Sequence, residues 1–257
     1  MVPIGGWAQN PVVPVLNQLF PDLDKNPGDA EERFTLASHF GTEKIRDTAV
    51  RLKAEWALLD GTEESSEIDF LLFRERTPIT IANFMGYVDR GDYTNMIVHR
   101  LVSGFVIQGG GFTMSSGVDG RISAAFVSTQ PTIKNEFGVS NTLGTISMAK
   151  LGGDPDSATS QWFISTGANS DNLDSQNGGF TVFGVVSRDS FEAALELDRQ
   201  QKFTIYDLGG VFGNSALGST PLIRNTTNAN FTAERFYRFS SVVEVPLPEG
   251  QAGTDPN

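Results

Sequence analysis

The sequence has no cysteine and only two histidines, His39 and His99, among 257 residues. The first absence excludes disulfides, thiol nucleophiles and Cys-ligated zinc. The second excludes a histidine cluster, and no metal site is expected. Basic residues are also few: 19 Lys and Arg stand against 31 Asp and Glu, for a formal net charge of −12. Nucleic-acid binding needs clustered cations facing phosphates, so this balance argues against it. No apolar run reaches the roughly 18 residues of a membrane span. A Gly-x-Ser-x-Gly elbow is missing, and with one His beside an Arg no Ser-His-Asp triad can be assembled from motifs.

What is present is an ordinary globular composition, 39% hydrophobic, with 27 Gly. That length is enough for one large domain or two small ones, each with a real core. Residues 1–48 are rich in Pro, Asn and Asp and read as an extended arm, with a short strand or turn at 34–40. The start, Met1 to Ala8, lacks a basic segment followed by an apolar one, so no signal peptide is visible in it. Residues 49–246 read as the folded domain and 247–257 as a polar tail.

Val50–Trp56 alternates apolar and polar residues, as a half-buried strand does, and Glu67–Phe73 follows as a second strand after a turn from Gly61 to Ser66. Thr77 then caps a helix with Pro78 at its first position, and Ile81, Phe84, Met85 and Val88 line one face up to Gly91. A second helix starts at Asp189 or Ser190, with Phe191, Ala194 and Leu195 on one face. Phe105–Gln108, Gly144–Ala149, Gln161–Ser165, Phe180–Val186 and Arg235–Val245 read as strands. Many short strands, glycine turns and two helices fit a β-barrel or a sandwich, and the pattern does not choose between them.

Two motifs dissolve on inspection. Gln108–Gly111 lacks both nucleotide-loop patterns, and tight turns account for it. Asp22–Asn26 opens like a calcium loop, but Pro27 stands where that loop needs Gly and Arg33 where it needs Glu. What remains is Arg100 in an apolar, glycine-rich neighbourhood. The blocks Thr77–Phe84, Tyr87–Tyr93, Val98–Gly110, Lys134–Glu136, Gly144–Ala149, Ser157–Ile164, Leu173–Asp174 and Phe180–Gly184, in that order, closely resemble the cyclophilin family of peptidyl-prolyl cis-trans isomerases. The likeness covers about residues 49–186 well and reaches Val245 loosely.

The resemblance implies a mainly β fold, a closed eight-stranded antiparallel barrel capped by two α-helices. It implies isomerisation of X-Pro bonds, assistance to protein folding, and no cofactor. Arg100 takes the place of the catalytic arginine, with Phe105 beside it and Gln108 bracing it. Phe105, Val106, Phe163 and Leu173 form the proline pocket, although the family often has Met where Val106 stands. Ala149, Lys150 and Gln161 hold the substrate backbone, and His99 and Phe180 border the site. Trp162 replaces a usual Phe, a core or wall change. Lys150 stands where Asn is common. Asn172 stands where cyclosporin-sensitive members carry Trp, so weak cyclosporin binding is expected.

The expected partners are proline-containing peptides and unfolded proteins. Alternatives are a proline-peptide-binding module with little turnover, and a surface or structural protein that uses the barrel as a scaffold. A low pI of about 4.6, the absent cysteine and the acidic, Asn-rich leader resemble exported bacterial members. They point to a periplasmic or secreted protein, with the cytoplasm as the alternative.

Overall fold

The computed structural model describes residues 12–16, 40–44 and 48–246. The tail 247–257 and most of the arm, including residues 34–39, lie outside the described residues. Within the arm, β1 (Val12–Leu16) and β2 (Phe40–Lys44) pair antiparallel.

β3 (Thr48–Ala57) and β4 (Glu63–Leu72) form a long antiparallel hairpin. Gly61, at φ +87°, allows the turn, and the amide of Thr62 donates to Asp60 Oδ1 at 2.8 Å. Glu63–Ser66, expected in the turn, belong to the strand. They pair with Ala54–Ala57, so a ladder with a neighbour outweighs a polar, Ser-rich composition.

α1 (Pro78–Asp89) carries Pro at its first position and buries Ile81, Phe84, Met85 and Val88, as their spacing predicts. Thr77 is not the side-chain cap expected; its hydroxyl donates back to the carbonyl of Phe73 at 3.3 Å. The free amides of Ile79 and Thr80 donate instead to the Glu136 carboxylate, at 3.2 and 2.8 Å.

Next come β5 (Met96–Ile97), β6 (Arg100–Val102), β7 (Val106–Gly109), β8 (Phe112–Ser116) and β9 (Ile122–Phe126). β10 (Thr145–Met148), β11 (Trp162–Ser165), the single turn α2 (Ser170–Leu173) and β12 (Val182–Val186) follow. α3 (Arg188–Asp198) starts slightly earlier than expected because Ser187 caps it, accepting from the amide of Ser190 at 3.3 Å. Its buried face is Ala194 and Leu197, with Leu195 only half-buried. β13 (Phe203–Tyr206), the turn α4 (Gly209–Phe212), β14 (Thr220–Ile223) and β15 (Arg238–Pro246) complete the chain.

Eleven strands, not the expected eight, form one antiparallel sheet in the order β6-β7-β11-β10-β12-β4-β3-β15-β5-β8-β9. The difference has local causes. The chain leaves strand geometry at Val98–His99, which separates β5 from β6, and at Gly110–Gly111, which separates β7 from β8. β9 adds a further strand through a hairpin on β8.

The core lies between this sheet and the two longer helices, and is built on Phe70, Phe84, Trp162, Phe183 and Phe239. Trp162 is fully buried, 5.2 Å from the Phe70 ring edge-on and 6.0 Å from the Phe239 ring. A second apolar cluster joins Ile97, Phe112 and Met114 of the sheet to Leu208, Leu217, Leu222 and Phe236. Residues 201–235 thus contribute a β13–β14 hairpin and short helical turns that cover one sheet face.

Gly109 sits opposite Trp162 in the β7–β11 register. A Cβ there would lie 2.9 Å from Cζ2 of the indole. Gly109→Ala is therefore expected to destabilise the chain by about 1–3 kcal/mol through overpacking. It would show as a lower denaturant midpoint with an unchanged slope.

Candidate active site

The pleat of the sheet builds the site. Arg100 lies opposite Gln108 in the β6–β7 pairing, and Gln108 lies opposite Phe163 in the β7–β11 pairing. Residues opposite one another project to the same face, so the three form a row across three strands, roughly 10 Å long at the usual strand spacing. The alternate residues Leu101, Ile107 and Ile164 face the core.

Around Phe163 gathers a separate apolar cluster. Val106, Phe163 and Leu173 are buried in it, at 2%, 4% and 6% exposure, and Phe105, Ala149 and Phe180 pack around them half-buried. The floor is nearly closed over, and the residues around it keep partial exposure. Phe163 and Phe180 meet edge-to-face at 5.7 Å. The Phe105 ring lies 5.8 Å from the Arg100 guanidinium carbon, which links the apolar cluster to the charge.

Arg100 Nη1 donates to Gln108 Oε1 at 3.4 Å, a long bond, and Gln108 Nε2 donates to Gln161 Oε1 at 2.9 Å. Among the described residues no carboxylate lies within ion-pair distance of Arg100. Partial burial pushes its pKa down from the ordinary arginine value, and guanidinium remains charged in proteins. The site therefore holds a half-buried cation with no counter-charge among the described residues.

His99 is buried at 1% exposure, its ring 5.1 Å from that of Phe112. Burial pulls its pKa down to about 4. A hydrogen bond with Gln161 opposes that shift, and the Arg100 charge adds to it. At neutral pH the imidazole is uncharged. Ala149 donates its amide to the Gln161 carbonyl at 2.9 Å, which seats it beside the cluster. Lys150, expected to hold substrate, follows Ala149 beside Phe180. Its ammonium donates to the carbonyls of Asn177 and Gly179, at 2.9 and 2.6 Å, and lies 4.8 Å from the Phe180 ring. It braces the rim from behind, and burial lowers its pKa. Asn172 is exposed.

Sequence reasoning missed the supports beneath the site. Asp174 Oδ1 accepts from the amide and the side-chain Nδ2 of Asn141, at 2.8 and 2.9 Å. Asn141 Nδ2 also donates to the Phe180 carbonyl at 3.0 Å, and Ser147 Oγ donates to Asn141 Oδ1 at 2.7 Å. This network ties the turn carrying Leu173 to Phe180. Asn135 does the same for the next turn, donating to the carbonyls of Gly178 and Gly179 at 2.8 and 3.1 Å. The blocks Lys134–Glu136, Gly144–Ala149 and Leu173–Asp174 contain three of these residues, Asn135, Ser147 and Asp174, but nothing in their spacing announces the bonds. Among the described residues no group of three or more His, Asp or Glu could hold a metal ion.

Residues 59–204, more than half of the chain, match the family model described as "Cyclophilin type peptidyl-prolyl cis-trans isomerase/CLD". The chain is 39% identical over 146 residues to peptidyl-prolyl cis-trans isomerase A of Dickeya dadantii, a match covering 54% of this chain and 70% of that enzyme. It is 43% identical over 94 residues to peptidyl-prolyl cis-trans isomerase B of Escherichia coli, covering 36% of this chain and 52% of that one. A solved cyclophilin-type isomerase of Cryptosporidium parvum, crystallised in the presence of the dipeptide Ala-Pro, superposes with a TM-score of 0.46 at 20% identity, over 76% of this chain and 97% of that chain. The chain belongs to the cyclophilin-type peptidyl-prolyl cis-trans isomerase family.

Because the folded-state pKa of His99 lies below its ordinary 6.5, unfolding takes up a proton at mildly acid pH. The stability tied to neutral His99 is present above pH 6.5 and is lost as pH falls towards 4. Between pH 7 and pH 5 the loss should approach about 2 kcal/mol. Denaturant unfolding of wild type and His99→Gln at both pH values checks it: the variant should lose less on acidification.

Proposed function

We propose that Arg100 and the apolar cluster around Phe163 form the catalytic centre of this isomerase, acting on X-Pro bonds in exposed or unfolded polypeptide and so assisting folding. The observation that carries this reading is the row Arg100–Gln108–Phe163, with a guanidinium that meets no carboxylate among the described residues at one end and an aromatic floor at the other.

Amide resonance sets a rotation barrier of roughly 18–20 kcal/mol. The two X-Pro isomers differ by only about 0.5–1 kcal/mol, so the difficulty is kinetic. No bond breaks, and neither nucleophile nor proton transfer is needed. When the bond is twisted halfway, resonance is lost and the prolyl nitrogen gains a lone pair that accepts a hydrogen bond. Arg100 donates there without giving up its proton. The bond exists only in the twisted state, so it lowers the barrier rather than merely tightening binding. Phe105, Val106, Phe163 and Leu173 hold the ring while the acyl side turns. Ala149 and Gln161 take the substrate backbone. Gln108 aims the guanidinium from the adjacent strand, and His99, buried and neutral, only borders the site.

The closed eight-stranded barrel belongs to the same proposal. β5 and β6 counted as one bent strand, and β7 and β8 as another, give eight strands once β9 is set aside. The pairings support a ring: β6 joins β7, the order runs through to β15, and β15 pairs with β5, which leads back into β6. A periplasmic or secreted location is also part of the proposal, supported by the acidic composition and the absence of cysteine.

Peptide-isomerisation kinetics on an X-Pro substrate test the centre. Arg100→Ala should keep its circular dichroism and lose at least about tenfold in kcat/KM, or 1.4 kcal/mol of barrier lowering. Full activity in that folded variant would remove the proposal. Cyclosporin affinity should be weaker than nanomolar by calorimetry, and Asn172→Trp should tighten it by adding an indole to the rim.

A further inference from the structure

α3 ends on Asp198, where a helix exposes carbonyl oxygens and a negative charge is unfavourable. Asp198 is also buried, at 8% exposure, and among the described residues no cation pairs with it. Both facts count against a carboxylate at this position unless its oxygens are needed there. They are fully occupied. The amide of Gly104 donates to both oxygens at 3.2 Å, Ser103 Oγ to Oδ2 at 3.3 Å, and Thr166 Oγ1 to Oδ1 at 2.8 Å.

These donors come from two turns. Ser103 and Gly104 connect β6, which carries Arg100, to β7, which opens with Val106. Thr166 directly follows β11, which carries Phe163. The turns touch backbone to backbone: a Cβ on Gly167 would sit 2.0 Å from the Gly104 carbonyl oxygen. Beside that contact the Phe105 carbonyl accepts from the amide of Thr166 at 2.9 Å and from Asn169 Nδ2 at 2.8 Å. Asn169 in turn directly precedes the turn that carries Leu173, and its carbonyl accepts from the Leu173 amide at 2.8 Å.

We propose that Asp198 is a positioning residue for isomerisation: its carboxylate clamps the β6–β7 turn to the segment after β11, fixing Phe105 and Val106 against Phe163 and Leu173 and holding Phe105 over Arg100. The proposal rests on the reading of Arg100 and the apolar cluster given above. Asp198 touches no substrate and acts through the walls of the pocket. A carboxylate suits the task because three donors converge on it. An amide of the same size offers one oxygen and turns N–H groups towards the Gly104 amide.

The experiment uses the full chain and measures X-Pro turnover in the cold, well below each variant's melting temperature. Asp198→Asn should lose at least about fivefold in kcat/KM, since small displacements of positioning groups are amplified in rate. Thr166→Val, which drops one donor, should lose about threefold, and Thr166→Ser, which keeps it, should match wild type. The double variant Asp198→Asn/Thr166→Val should be no slower than Asp198→Asn alone, because both break the same clamp. Asp69→Asn is the control. It breaks the half-buried pair of Asp69 with Arg51 near the opposite end of α3, and should melt earlier yet turn over as wild type does.

Wild-type turnover in Asp198→Asn, or an equal loss in Asp69→Asn, overturns the clamp. If Asp198→Asn fails to fold, the Thr166 pair decides, and equal rates for valine and serine overturn it. Should Arg100→Ala retain full turnover, the reading of the centre fails instead. Loss in Arg100→Ala with none in Asp198→Asn refutes the clamp alone.

Discussion

In β11 two neighbouring aromatic side chains must point to opposite faces, because successive residues of a strand alternate. Trp162 goes inward and fills the core against Phe70 and Phe239. Phe163 goes outward and becomes the floor around which Val106 and Leu173 collect. The inward ring leaves no room for a side chain on the paired residue Gly109. The outward ring places Gln108 beside it, and through Gln108 the guanidinium of Arg100. A one-residue slip of this strand would send the indole to the surface and remove the floor. Core and site are therefore two sides of one register.

A fixed cation beside an apolar floor would ordinarily attract a carboxylate from its own chain. Here the acidic side chains near the site are spent elsewhere. Glu136 caps α1 and Asp174 holds Asn141. Among the described residues the guanidinium has Gln108 but no carboxylate as its partner, which leaves N–H groups able to answer a change in the substrate's electron distribution. Histidine plays no such part, since burial holds His99 neutral.

Much of this was legible in the sequence. The spacing of Ile81, Phe84, Met85 and Val88 marks α1, and the alternation of Val50–Trp56 marks β3, because burial on one face leaves a period that can be read. The ordered blocks from Thr77 to Gly184 singled out Arg100, Gln108 and Phe163, which the pairings set in a row, and Phe105 and Leu173, which cluster with Phe163. Three things were not legible. The cap on α1 comes from Glu136, far along the chain, and no local pattern records such a bond. Lys150 turns to the carbonyls of Asn177 and Gly179 because a turn folds over it, a long-range contact. The strand count departs from the eight that the resemblance implies because Val98–His99 and Gly110–Gly111 interrupt two strands and β9 adds a hairpin on β8.

Residues 201–235 reach the centre without supplying any of it. Ser219 accepts a hydrogen bond from the amide of Leu101 at 2.8 Å, and Thr220 Oγ1 donates to the His99 carbonyl at 3.0 Å, so this segment lies along the outer edge of β6. The match to the family stops at residue 204, before that contact and before β15, which pairs with both β3 and β5. A chain cut there would leave three strands with open ladders and strip the cover from Ile97, Phe112 and Met114. Such edges and patches recruit other chains. The match to the family therefore ends short of strands that complete this sheet.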